Sequence, residues 1–227
     1  MWQGQVEALS KQFKLIIWDM RGHGKSDYPD DQSQYSEAHT VADIEAILNE
    51  VCGSRQAIVG GLSLGGYTSL AFYQVHPERV KALLIIDTGP GFKKDAARDG
   101  WNKTAHETAR RLESEGLASL QTASAERRLV THRNAKGLAL AARGMLTQRN
   151  ASVINSLSDI KVPSIVIVGA DDKPFLAASD YMAKKIPGCK KVVVPNAGHA
   201  VNIDQPEGFL KALMPFLNDV ESPKARL

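Results

Sequence analysis

Cysteine is nearly absent: Cys52 and Cys189 are the two in 227 residues. They lie far apart, in no metal-binding spacing, and read as ordinary thiols of a reducing compartment. No apolar run reaches the length needed to span a membrane. The N-terminus has no charged segment leading into an apolar one, so it carries no sign of a secretory leader. The cytoplasm, in a bacterial style of chain, is the expected location. Net charge is small, +3 with 23% charged residues, which gives no general reason to expect a nucleic acid as partner. Repeats and low-complexity tracts are missing. So is any His/Cys/Asp cluster at ligand spacing, and neither metal nor cofactor is expected. What is present is a 43% hydrophobic composition, enough to core one α/β domain with a small insertion.

One stretch organises the rest. Ala57-Ile58-Val59-Gly60 is a short apolar run that leads into Gly61-Leu62-Ser63-Leu64-Gly65-Gly66. A helical pattern of Leu64, Tyr67, Leu70 and Ala71 follows at once. Strand, tight turn with a serine between small residues, then helix is the context of a nucleophile elbow. Side chains at the flanking glycines, Gly61 and Gly65, are expected to collide with the neighbouring strand and helix. The free N–H groups at the helix start favour the negative charge that develops when a serine attacks an ester.

Alternation of strand and helix extends over most of the chain. Residues 2–12 carry Trp2, Val6 and Leu9 at helical spacing, and Leu15–Trp18 is expected as a short buried strand. Asp19-x-Arg21-Gly22-x-Gly24 reads as a turn held by Asp19 and Arg21, because it has no Lys-Ser/Thr ending for phosphate. His39–Val51 is a predicted helix, Gln56–Gly60 the strand before the serine, and Lys81–Ile86 a further strand. Ser164–Val168 and Lys191–Val194 are the later strands, with helices over Phe175–Ile186 and Pro206–Val220. The tail from Glu221 is expected to fray. This order implies an α/β fold: a mainly parallel sheet with helices on both faces.

Residues 92–157 interrupt the alternation with no strand-like apolar run. Helical patches are expected at Thr104–Glu115, Leu117–Ala123 and Ala139–Leu146. Twelve basic residues against six acidic between Lys93 and Arg149 give a surplus of +6, read mainly as a solvated helical face. The expected organisation is a core of residues 1–90 and 158–220 with a helical lid insertion at 91–157.

A serine hydroxyl needs a histidine to take its proton, and the histidine needs an acid to fix its tautomer. Ser63, Asp172 and His199 each fall just after a predicted strand, where working residues of parallel sheets gather. Their chain order, serine, acid, histidine, is one of the known triad orders. His23, His39, His76, His106 and His132 lack that position.

At these residues the chain resembles the α/β-hydrolase superfamily. The elbow at Ser63, the loop Asp19-Met20-Arg21-Gly22-His23-Gly24-Lys25-Ser26, the acid turn Gly169-Ala170-Asp171-Asp172 and the histidine loop Asn196-Ala197-Gly198-His199 all look like that family's motifs. The resemblance runs from Trp2 to about Leu217. It is nearest to the small-lid branch of carboxylesterases, enol-lactonases and cofactor-free perhydrolases. Members with an aspartate nucleophile, the haloalkane dehalogenases, fit less well because position 63 is serine. The resemblance implies Ser63 as nucleophile, His199 as base, Asp172 rather than Asp171 as acid, and the Leu64 N–H as an oxyanion-hole donor. It also implies that the chain begins inside the family pattern. Two or three first strands and a His-Gly loop, which normally supplies the other oxyanion donor, are not in it. Loss of one such donor costs about 2.7–4 kcal/mol elsewhere. The elbow strand, normally central in the sheet, is therefore expected either to gain Leu15–Trp18 as a neighbour or to keep an open edge. Two functions follow: a serine-dependent hydrolase of a small ester, thioester or lactone, or a truncated, non-catalytic chain, a fragment or a binding scaffold. The oligomeric state is not legible.

Overall fold

Four apolar runs become strands, and all of them pair in parallel. A computed structural model describes residues 1–122 and 130–222. The strands are β1 (Ala57–Leu62), β2 (Val80–Ile86), β3 (Ser164–Gly169) and β4 (Lys190–Val194), ordered β1-β2-β3-β4 across one sheet. Among the described residues, helices α1 (Gln3–Ser10), α2 (Glu37–Cys52), α3 (Leu64–Val75), α4 (Asp95–Glu115), α5 (Ala135–Gly144), α6 (Ser152–Ser156), α7 (Lys173–Lys185), α8 (Val201–Asp204) and α9 (Pro206–Glu221) make up the rest of the regular structure, with short 3₁₀ turns between. The chain divides into two compact units. One holds Lys14–Val51 and Gly91–Asn155, with Met1; the other holds Trp2–Phe13, Cys52–Pro90 and the residues from Ser156 on.

The second unit contains the sheet. Alternate residues of a strand point to opposite faces. Leu62, Ala82, Ile86, Ile165, Ile167 and Val194 pack on one face with Val201 of α8 and Phe209, Leu213, Phe216 and Leu217 of α9, and α1 adds Trp2 and Leu9. Leu83, Ile85, Val166 and Val168 alternate with these and are also buried. On the other side α3 packs on β1 and β2, and α7 on β3 and β4. Burial of such a side chain is worth about 1.5–3 kcal/mol. Because both faces are covered, β3 is apolar at every position but its first and last.

Leu15–Trp18 corrects the expectation of a strand. Residues 14–20 carry no regular structure, and Ile17 is 54% exposed. An apolar run becomes a strand only where a neighbour completes its backbone hydrogen bonds, and among the described residues none pairs with it. The elbow strand β1 is accordingly not central: among the described residues it pairs with β2 alone. Of the two outcomes foreseen for its far edge, the open one is observed within this sheet.

The first unit is helical. Ala109 and Leu112 of α4 meet Leu138, Ala139 and Ala142 of α5 in its core. α4 begins at Asp95, well before the predicted Thr104, and ends at Glu115, capped by Gly116 with φ +63°. The patch predicted at Leu117–Ala123 is 3₁₀ over Gly116–Thr122, and Ala123 lies outside the described residues. The loop after Trp18 is the held turn expected. Asp19 Oδ2 accepts the Lys25 N–H at 2.9 Å, and Arg21 forks onto Asp43 at 2.7 and 2.8 Å. Several of the basic residues are paired, as in Arg143–Glu113, Arg111–Glu115 and Lys136–Asp30, the last with an acid from outside the segment. Arg127 and Arg128 lie outside the described residues.

The elbow glycines act differently from expectation. A Cβ on Gly61 would fall 2.7 Å from the Gly65 carbonyl carbon, but a Cβ on Gly65 would meet nothing within 4 Å. The second collision belongs to Gly66, where a Cβ would lie 2.7 Å from Thr88 Cγ2 and 2.9 Å from the Gly61 oxygen. Gly65→Ala is therefore expected to hold or raise the melting temperature, since alanine gains about 1 kcal/mol over glycine inside a helix. Gly66→Ala is expected to lower it by several degrees, from about 1–3 kcal/mol of overpacking. Thermal melts of the two variants check this, and equal melting temperatures would refute it.

Candidate active site

Parallel strands place all their carboxyl ends at one end of the sheet, so residues that follow β1, β2, β3 and β4 share that end. Ser63 follows β1, with φ 54° and ψ −116°. This strained backbone lifts its hydroxyl off the strand axis, and α3 starts at the next residue. The strain is held by the Ser63 N–H donating to the Ile86 carbonyl at 2.8 Å. Leu64 is the first residue of α3, where backbone N–H groups have no partner inside the helix.

Asp172 follows β3 and His199 follows β4, both in the same unit as Ser63. His199 Nε2 lies 3.0 Å from Ser63 Oγ, and His199 Nδ1 lies 2.9 Å from Asp172 Oδ2. A carboxylate only accepts hydrogen bonds, so Nδ1 carries the proton and donates to Asp172. The neutral ring then offers its Nε2 lone pair to the serine hydroxyl. The Asp172 side chain is 4% exposed and that of His199 30%. Asp171, its neighbour in the chain, is exposed and does not face the ring; its N–H donates to the Ala197 carbonyl at 2.9 Å.

A second serine–histidine contact shows what proximity alone does not do. Ser36 Oγ lies 2.8 Å from His39 Nδ1, and the His39 N–H donates back to Ser36 Oγ. This is a reciprocal cap at the start of α2. His23 bonds the Arg21 carbonyl, and His132 accepts the Gly24 N–H. Burial pushes both of these rings below the usual histidine range. The two thiols are free, and burial pushes that of Cys189 up to about 11. Among the described residues, no three His, Cys, Asp or Glu side chains are placed to hold a metal, and no helix is long and apolar enough to cross a membrane.

Three residues of the site have no place in the sequence reading. Phe175, in the first turn of α7, stacks on the His199 ring at 4.9 Å and 24°; nothing in its spacing marked it. Asp204 accepts the Gly198 N–H at 2.8 Å. Asp87 is fully buried immediately after β2, and its two carboxyl oxygens accept the N–H groups of Gly169 and Val201 at 2.8 and 3.0 Å. Its signal was there to read: a charged residue directly after a buried apolar strand, at the sheet end where the other three also lie. Burial pushes its carboxyl up to about 7, the two N–H bonds and His199 pull against this, and Asp172 adds to it.

Comparison with known proteins agrees with this architecture. The sequence model of the alpha/beta hydrolase fold matches residues 1–141. A Bacillus subtilis protein provisionally named a 2-succinyl-6-hydroxy-2,4-cyclohexadiene-1-carboxylate synthase is 30% identical, over 91% of this chain and 82% of its own length. The 3-oxoadipate enol-lactonase 1 of Acinetobacter baylyi is 28% identical, over 97% of this chain and 85% of its own. Among solved structures, a thermophilic esterase from Thermogutta terrifontis superposes with a TM-score of 0.82 at 26% identity, covering 97% of this chain and 85% of that one. The family match takes in more than half of the sequence, and the relatives are alike along nearly all of it: the chain belongs to the alpha/beta hydrolase family.

Proposed function

We infer that the chain is a serine-dependent hydrolase of a small ester, thioester or lactone, working through an acyl-enzyme. The observation that carries this reading is the continuous relay from Ser63 Oγ through His199 to Asp172, at 3.0 and 2.9 Å within one unit. Ser63 Oγ attacks the carbonyl carbon as its proton passes to His199 Nε2. Asp172 stabilises the imidazolium through Nδ1–H. The oxyanion faces the Leu64 N–H and the positive end of α3. Collapse expels the alkoxide or thiolate, which takes the proton from His199. In a lactone the leaving oxygen stays tethered to the acyl group. Water, deprotonated by the same histidine, then frees Ser63. The names of the enol-lactonase and esterase relatives support an ester or lactone substrate.

A fluorophosphonate probe tests the reading. It is expected to add one label to the purified protein, found by peptide mass spectrometry on Ser63. Absence of labelling from pH 6 to 9, or labelling elsewhere, would sink the reading and leave the non-catalytic alternative.

A further inference from the structure

The acid turn and the histidine loop touch very closely. A Cβ on Gly169 would lie 2.2 Å from the Gly198 oxygen and 2.3 Å from the Ala197 oxygen, so only glycine lets the two backbones meet there. The direct bond between them is Asp171 N–H to Ala197 O. Two more N–H groups flank the contact, from Gly169 at the end of β3 and Val201 at the start of α8. Both point at one side chain, Asp87.

We propose that Asp87 is a positioning residue: it clips the acid turn to the histidine loop and so sets the distance between Asp172 and His199. The proposal rests on the reading of Ser63, His199 and Asp172 as one relay. Its support is geometric. Asp87 is anchored on β2, with φ +43° and its own N–H donating to the Ile167 carbonyl of β3. From there one oxygen reaches each loop. A buried N–H must find an acceptor, and these two come from chain segments on either side of α7 and β4. A side chain with two acceptor oxygens satisfies both; serine or asparagine brings one. Gly169 is three residues before Asp172, and Val201 two after His199, so a change at Asp87 reaches both partners of the relay. The charged groups that face it are Asp172 and His199. When the carboxyl is protonated, one oxygen becomes a hydroxyl and its grip on an N–H weakens. The clip is therefore firmest above the ionisation near 7.

Asp87→Asn tests the proposal, because the shape is kept while one acceptor becomes a donor aimed at an N–H. Turnover of p-nitrophenyl acetate is expected to fall at least tenfold in kcat, with KM within twofold. Resonances of the His199 ring are expected to shift, and the Gly169 and Val201 amide signals to lack the pH-dependent step near 7 expected of the unmodified protein. A kcat within twofold of the unmodified protein, together with unmoved His199 resonances, would overturn it. If Asp87→Asn does not fold, hydrogen exchange of the unmodified protein decides: strong protection of both the Gly169 and Val201 amides supports the clip, and rapid exchange at either overturns it. If the unmodified protein neither labels nor turns over, the hydrolase reading fails separately, and the amide and ring signals still judge the clip.

Discussion

Ser63→Ala is expected to lower kcat for p-nitrophenyl acetate by a factor of about 10⁴–10⁶, with KM nearly unchanged. In the proposed mechanism the removed oxygen is the attacking atom, whereas substrate contacts elsewhere stay in place. Whatever rate remains comes from the oxyanion site and binding alone. The fold is expected to survive the change. The serine makes no side-chain cap to α3, and the alanine keeps the same backbone. Steady-state kinetics beside a thermal melt measure both effects. A variant with turnover within tenfold of the unmodified protein would place the nucleophile elsewhere.

Asp172→Asn is expected to reduce kcat by about 10⁴, whereas Asp171→Ala changes it less than threefold. The contrast comes from adjacent residues in different surroundings. Asp172 is buried, 2.9 Å from His199 Nδ1. An asparagine amide there can donate to Nδ1, which moves the ring proton to Nε2 and aims it at the Ser63 hydroxyl. In that tautomer the histidine has no lone pair for the serine. Asp171 contributes its backbone N–H to the Ala197 carbonyl, and alanine keeps that bond. Kinetics of the two variants side by side, with circular dichroism to confirm folding, decide the assignment. A larger loss for Asp171→Ala would reverse it.

Much of the fold was legible because buried parallel strands have a simple signature. The runs Ala82–Ile86 and Ile165–Val168 are apolar without alternation, and each is followed by a turn that carries a polar residue. Position after a strand marked Ser63, His199 and the Asp171-Asp172 pair as candidates, since parallel pairing brings those positions to one end, and the resemblance to the family's acid turn chose Asp172 within the pair. Leu15–Trp18 has the same composition and forms no strand. Its failure is one of partnership, which no local pattern records. The first turns of α4 were missed for the opposite reason: Asp95–Lys103 has few apolar residues, and its helix follows from alanine and arginine propensity rather than from a buried stripe. Gly65 and Gly66 look alike in sequence, yet one faces open space and the other the Thr88 methyl. Asp87 was visible as a residue type in the right place, but its two bonds go to loops far along the chain, at separations of 82 and 114 residues.

Those separations bear on how the site comes into being. Ser63 and His199 are 136 residues apart, and the segment from Gly91 to Asn155 intervenes between β2 and β3 in the sequence. Contacts of such length cost loop-closure entropy before they return any energy. The helices α3, α4 and α9 need only local bonds, so helical content recovers early when the denatured chain refolds. Ser63 meets His199 only once β3 has joined β2 and β4 has joined β3. On the proposed function, turnover is expected to return after secondary structure when the denatured chain refolds, as stopped-flow circular dichroism beside an activity assay would measure.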